Sequence, residues 1–421
     1  LKPSWPNPEH GTGSCESLAH RPMAFFDFSR PPGPLRATFR LVYLCLRAAA
    51  VEHISKDFAL TPKRCCVLVL LAFLLPLLAW WNALGFWLDE LLFPGYRAQQ
   101  IVAPIFIQGG ARSGTTAMHR YLAQDPQLTA ITTWEIVLAP SVSWRRLFAW
   151  LARLDAGLFC GALSAAVAWF ASRIAAATAV VHEVQVFGAE EDEWLMSHIS
   201  AAQLLAFFFP ILDEFGPIID CDAKLPLQTK KAVMEYYVGC VRRHLYAHGG
   251  SRTYVAKNPT FNRRMRWLQS AFPDARFLVM TRPPAESVPS LVAYIGAVWG
   301  VFCSPRTRRP LAHALTSLQP GDMAYPLDAL RDWPESQRAV VANSALREDC
   351  LKAVGGLYAK LGLVLSPAFG AKLKAYRESS RGRTGGHRYS TEDTGMFADE
   401  FEAHFAESVE RLQRLEKGSW E

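Results

Sequence analysis

The 421-residue sequence contains no C-x-x-C pair and no histidine at zinc-finger distance from its nine scattered cysteines, so a metal site is not expected. The odd cysteine count and the length also speak against a scaffold built from disulfides. No Asn-x-Ser/Thr acceptor is present, because Asn258 is followed by Pro259. No internal repeat is evident. Charged residues make up only 20%, yet this is still too polar for a polytopic membrane protein, and 50% hydrophobic with 12% aromatic residues excludes a mainly disordered chain. Of the net charge of +7, residues 1 to 64 carry +4, from nine basic and five acidic side chains. That excess sits just ahead of the most hydrophobic stretch, which suits a membrane flank better than a nucleic-acid footprint. Nucleic acid is not an expected partner.

From Cys65 to Leu88 run 24 residues without a charge. As a helix they would be about 36 Å long, enough for a hydrocarbon core of roughly 30 Å. Pro76 in the middle and Trp80, Trp81 and Trp87 toward one end fit either a membrane span with an aromatic belt or a re-entrant segment bent at the proline. The chain therefore divides into a basic N-terminal region (1–64), a transmembrane or re-entrant segment (65–88) and a domain from 89 to 421. Leu35 to Arg47 mixes basic and apolar residues as an interfacial helix does. Four Lys or Arg precede the apolar segment within 20 residues and one, Arg97, follows. A spanning segment would thus leave the N-terminus cytoplasmic and the domain lumenal, in the Golgi or another endomembrane if the source is eukaryotic.

Past Pro104 short β-rich runs alternate with helical stretches, the signature of an α/β fold around a parallel sheet. Strands are expected at 104–108, 253–257 and 276–281, and helices at 115–124, 261–272 and 285–293. Ala156 to Ser172 reads as a cap helix, part of a helical cap over about 140–250. Residues 302–334, rich in Pro, Arg and Ser, read as a loop, and the chain from Gln337 onward reads as helical.

The chemistry concentrates in P-I-F-I-Q-G-G-A-R-S-G-T-T, where a β run enters a Gly-rich loop and then a helix beginning near Thr115. Backbone N–H groups of Gly110, Ala111, Arg112, Ser113, Gly114, Thr115 and Thr116, aided by the helix N-terminus, form a cradle for an anion. Gly109 and Gly114 have Walker A spacing, but Thr115 stands where an NTPase has lysine, and the cation is Arg112, inside the loop. Lys257 and Arg282 end two expected strands, where ligands of open α/β sheets bind. Arg282 and Ser290 are eight residues apart across a turn that opens a helix, so guanidinium and hydroxyl can grip one further phosphate.

These residues resemble the sulfotransferases that use 3′-phosphoadenosine 5′-phosphosulfate (PAPS), in the branch with a G-x-x-R-S-G-T-T loop. The resemblance implies a P-loop-like parallel sheet flanked by helices, with the helical cap and the N-terminal membrane segment added to it. It places the 5′-phosphosulfate on the loop at 109–116 and the 3′-phosphate on Arg282 and Ser290. Lys257-Asn258-Pro259, Trp134-Glu135 and the acidic run at 189–193 also recur in this branch.

The implied reaction moves a sulfuryl group to an acceptor hydroxyl or amine, with PAPS as donor and no metal. Arg112 would neutralise charge growing on the leaving phosphate, and a base must take the acceptor proton. Glu135, beside Trp134, is the first candidate, with His198 and His119 as alternatives. The acidic run is read as a solvated face or as a holder for a cationic acceptor. Arg381, Arg383, His387 and Arg388 would fold over the donor phosphates or stay a solvated loop. The acceptor is expected to be a lipid, a glycan or a small molecule such as an alcohol. Rival readings are a P-loop kinase, which the missing lysine disfavours, and a membrane-attached nucleotide-binding protein without catalysis.

Overall fold

The computed structural model describes residues 28–178, 184–307, 309–380 and 390–416. Arg381, Arg383, His387 and Arg388 lie outside the described residues.

Five parallel strands, β1 (Ile105–Gly109), β2 (Leu128–Thr129), β3 (Thr253–Lys257), β4 (Arg276–Thr281) and β5 (Arg338–Ala342), form one sheet in the order β2-β3-β1-β4-β5. The central strand β1 pairs Phe106 with Ala256 on one side and with Phe277 on the other. Because side chains alternate across a strand, Phe106 and Phe277 join the core cluster on one face while Ile105, Ile107 and Leu278 join that on the other. Both faces are covered, so the strands read as continuous apolar runs. The strands expected at 253–257 and 276–281 lie where the sequence put them, and the first is shifted by one residue.

Two differences have local causes. The stretch 302–334 is not a loop: helices Arg309–Ser317 and Gln319–Leu330 occupy it, with Pro320 in the first turn of the second, where its missing N–H costs nothing. The C-terminal region is not helical throughout, because Arg338–Ala342 adds β5 to the sheet edge. Its A-V-V-A is too short for periodicity to tell strand from helix.

The N-terminal region packs on this domain as an antiparallel pair, α1 (Pro34–Ile54) and α2 (Pro62–Leu92). Helix α2 runs unbroken through Pro76, so the segment is not a hairpin bent there. Its buried side is polar at three points. Arg64 pairs with Glu52 at 2.7 Å and donates to the carbonyls of Phe302 and Phe208. Asn82 donates to Val137 O. Asp89 accepts from the amides of Val142 and Ser143 and pairs with Arg243 at 2.9 Å.

After the loop come α3 (Thr115–Leu122) and α4 (Thr133–Leu138), followed by a helical pair, α5 (Val142–Leu158) and α6 (Ala162–Thr178). The apolar stretch at 156–172 is thus interrupted at Phe159–Gly161, and α6 buries no residue. By length and composition α2 and the helix Pro284–Phe302 could each cross a membrane, but the latter is packed among Phe58, Met396 and Phe405. The eight described cysteines are free thiols.

Candidate active site

The loop after β1 is held in shape by contacts that only glycine permits at two points. Gly109 has φ +125°, and a Cβ there would lie 2.2 Å from Met280 O; Gly114 has φ +94°, with Asn343 Oδ1 2.4 Å from where its Cβ would be. Asn262 locks the loop's entrance, accepting from Gly109 N at 3.1 Å and donating to Gly109 O at 2.9 Å. Arg112 itself has φ 67°, a left-handed turn between the strand and α3. Ser113 Oγ is buried in this loop without a partner, as a group held for an incoming acceptor atom would be. A phosphate-bearing ligand fits this arrangement.

One cavity of about 520 Å³ lies in front of the loop. Ala111, Arg112, Gly114, Thr115, Thr116, Arg282 and Ser290 line its polar end. An apolar part of the lining is made by Leu204, Phe207, Leu212, Ile295, Trp299 and Leu315. Residues as far apart in sequence as Ala111 and Leu315 therefore meet around one volume. The contacts are closer than two separate phosphate sites would suggest. Arg112 Nε donates to Ser290 Oγ at 3.0 Å, and Arg282 Nη1 donates to Arg112 O at 3.0 Å. The Arg112 guanidinium also lies over the Tyr294 ring.

Lys257 ends β3 with its side chain buried beside the loop. Its Nζ donates to Thr116 Oγ1 at 3.2 Å and to Glu191 Oε1 at 2.5 Å. Glu191 lines the cavity, and it comes from the acidic run that the sequence reading kept out of the site. That run is not a solvated face. Asp192 is buried, accepting from Tyr237, Tyr254 and Asn258, and Glu193 is buried against Arg264 at 2.7 Å. Burial is the largest influence on Asp192 and raises its pKa in spite of those donors. Asn343 and Arg347, at the C-terminal end of β5, also reach the cavity, and neither carries a motif that flags it.

The three base candidates from sequence are placed elsewhere. Glu135 closes a capping box, its Oε2 accepting from Thr132 N at 2.9 Å and Thr132 Oγ1 at 2.8 Å. Its Oε1 accepts from His248 at 2.8 Å and faces Arg145 at 3.5 Å. Burial alone would raise its pKa, but Arg145 and His248 overcome this and hold the carboxyl far below the ordinary range. It borders a different cleft, on the far side of Thr116 and Arg112.

His198 is buried with Nε2 at 2.9 Å from Ile136 O, and burial lowers its pKa to about 4. His119 is buried in α3, and burial followed by the charge of Lys257 lowers it to about 3. Neither histidine lines the cavity.

Glu135, His244 and His248 form the one group among the described residues with carboxylate and imidazole atoms close enough to share a cation. Both His244 nitrogens are engaged, Nδ1 by Arg145 at 3.2 Å and Nε2 by Thr129 at 2.8 Å. The Arg145 guanidinium already supplies the positive charge in the cluster, so these residues fit a hydrogen-bonded network better than a metal centre.

Comparison with known proteins agrees with this geometry. The family described as "Sulfotransferase family" matches residues 104–367. Two curated relatives, from Mycobacterium bovis and Mycobacterium tuberculosis, are each named omega-hydroxy-beta-dihydromenaquinone-9 sulfotransferase Stf3. Each is 28% identical over 219 residues, 50% of this chain and 50% of the relative. The chain spans about half the length of the curated relatives it matches. Among solved structures, sulfotransferase STF9 from Mycobacterium avium superposes with a TM-score of 0.65 at 16% identity, covering 92% of this chain and 95% of that one. Sulfotransferase STF1 from Mycobacterium tuberculosis does so at 0.60 and 16%, covering 91% and 94%. At those identities the two structures speak to the fold.

Proposed function

Because the chain belongs to the sulfotransferase family, we propose that it transfers a sulfuryl group from PAPS to the hydroxyl of a lipophilic acceptor. The observation that carries this reading is the single cavity with an anion-binding end and an apolar wall. The curated relatives named for a hydroxylated menaquinone derivative favour a lipid alcohol over a glycan. They are bacterial, and lend no support to a Golgi location.

In the proposed step the acceptor oxygen attacks sulfur, the bond from sulfur to the 5′-phosphate oxygen breaks, and adenosine 3′,5′-bisphosphate leaves with the additional negative charge. By analogy with phosphoryl transfer through a loose transition state, the protein mainly positions groups and offsets that charge. The loop amides and Lys257 lie where the leaving phosphate would sit. Arg112 spans the distance from the loop to Ser290, and Arg282 completes the grip on the donor's second phosphate. The acceptor proton goes to Glu191, which we assign as the base in place of Glu135. Glu191 lines the cavity beside Thr116, whereas both oxygens of Glu135 are engaged within the fold.

Calorimetric or fluorescence melting with adenosine 3′,5′-bisphosphate tests the donor assignment, and a ligand at a hundred times its dissociation constant stabilises by about 2.7 kcal/mol. Transfer of radiolabelled sulfate to a panel of isoprenoid alcohols, glycans and short alcohols then tests the acceptor. Stabilisation by ATP but not by the bisphosphate would favour the kinase reading. Binding without transfer to any of the panel would favour a non-catalytic protein.

A further inference from the structure

We infer that α1, α2 and the α5–α6 pair form a face that lies on an anionic lipid bilayer, with α2 in the membrane plane rather than across it. The inference does not depend on the donor or the acceptor assigned above.

Helix α2 has two opposite stripes. Leu70, Phe73, Leu77, Trp80, Leu84 and Trp87 follow one another at three- and four-residue steps, and every one is exposed, Phe73 to 74%. The other stripe carries Arg64, Asn82 and Asp89, each fully buried and bonded to the domain. A helix crossing a bilayer would have to take these groups away from Phe208, Val137 and Arg243 and bring the Asn82 amide into hydrocarbon. Lying in the plane, α2 keeps all three bonds and gives only its apolar stripe to lipid, the geometry of a monotopic helix.

The apolar face continues on both sides. Leu35, Phe39 and Leu46 are exposed on α1, which packs along α2. On the other side Trp81 stacks on Trp144 at 4.0 Å, joining α2 to α5. Beyond α5, helix α6 exposes Val167, Trp169, Phe170 and Ile174 and buries nothing. An apolar face of several helices greatly exceeds the patches that monomeric proteins leave in water.

The charge around it points to lipid headgroups as the occupant. Between residues 28 and 178, apart from Arg112 in the loop of the active site, eight Lys or Arg side chains are exposed, among them Lys63, Arg146, Arg153 and Arg173. Every acidic side chain of that stretch is at least partly buried, five of the seven fully. A second copy of the chain would bring the same excess of positive charge against this face, whereas phosphatidylglycerol or a similar lipid neutralises it.

The start of α2 is bonded to segments next to the wall of the active-site cavity. Arg64 donates to Phe302 O and Phe208 O, and Lys63 donates to Gly300 O, at the end of the helix that carries Trp299.

Flotation of the full chain with vesicles of phosphatidylcholine, with and without 30% phosphatidylglycerol, tests the face directly. Binding is expected only with the anionic lipid, weakening at high salt. Phe73→Glu with Trp80→Glu on α2, or Trp169→Glu with Phe170→Glu on α6, should each lower the vesicle partition coefficient at least tenfold. The far-UV circular dichroism and the cooperative urea transition should stay unchanged in both, showing that they fold.

In sealed membrane vesicles from expressing cells, cysteines placed at Lys56 and Gln100 in a chain with Cys15, Cys65, Cys66 and Cys160 replaced by serine report topology. An impermeant maleimide should label both from one side. Labelling from opposite sides would make α2 a span and overturn the inference. So would a lipid-free dimer that buries the face and ignores vesicles.

Discussion

Two carboxylates flank the helix that follows the anion-binding loop, and they are placed for opposite tasks. Glu135 sits on the far side of Thr116 with both oxygens engaged, in a cluster with Arg145, His244 and His248. Glu191 sits on the cavity side and is paired with Lys257, which also touches Thr116. A carboxylate with both oxygens held by donors inside the fold cannot reach a substrate, whereas one that lines the cavity can meet a bound acceptor. Residue type does not distinguish the two; surroundings do.

Glu135→Gln gives the sharpest test of that contrast. It leaves Arg145 buried without its partner and should cost about 3 to 5 kcal/mol of stability, read from urea unfolding. The turnover of the molecules that do fold should stay near normal. Wild-type stability with a collapse in kcat would return the base to Glu135. Glu191→Gln should behave in the reverse sense, lowering kcat by roughly a hundredfold or more while leaving bisphosphate affinity nearly unchanged. If turnover survives that change, the cavity-side carboxylate is only a partner for Lys257.

On the cavity side itself, Arg282→Ala should raise the donor KM about ten- to a hundredfold with little effect on kcat, since a second phosphate is gripped alike in ground and transition states. Ser290→Ala should affect KM less, yet lower kcat more than a pure binding residue would, because it also releases Arg112. A purely additive Arg282/Ser290 double mutant would show that the contact with Arg112 carries no coupling.

The loop, its cation and the strand-end residues were legible because they are local. A Gly-rich turn between a strand and a helix turns successive N–H groups into one concavity whatever surrounds it, and Arg282 and Ser290 are one helix entry apart. Glu191 was not legible. Five acidic or small residues in a row read as a solvated face, and only the packing of Tyr237, Tyr254 and Arg264 against Asp192 and Glu193 turns that run inward. Glu135 had the converse problem, because its neighbour in sequence, Trp134, says nothing of Arg145 or His248, which arrive from other helices. The length of α2 was evident from composition, but its attachment to the domain depends on Phe208, Val137 and Arg243, which no local pattern links to it.

The smallest expected effect concerns acid stability, which comes from groups on the structural side alone. His198 and His119 have ordinary pKa values near 6.5 when unfolded and are lowered by burial to about 4 and about 3 in the fold. Below pH 6.5 the unfolded chain takes up protons that the folded chain refuses, so stability falls with decreasing pH, down to about 4 for His198 and about 3 for His119. Each contributes at most about 1.4 kcal/mol per pH unit within its window. Glu135 acts in the same direction but lower, because its depressed pKa gives stability that is lost only once pH falls below its unfolded value of 4.5. Between pH 6.5 and 5, therefore, the histidines act without Glu135. Urea midpoints at pH 7, 6 and 5 should decline for the native chain, and His198→Asn should decline less steeply. Equal slopes would mean that His198 accepts a proton in the fold, and its bond to Ile136 O would then be that of an imidazolium.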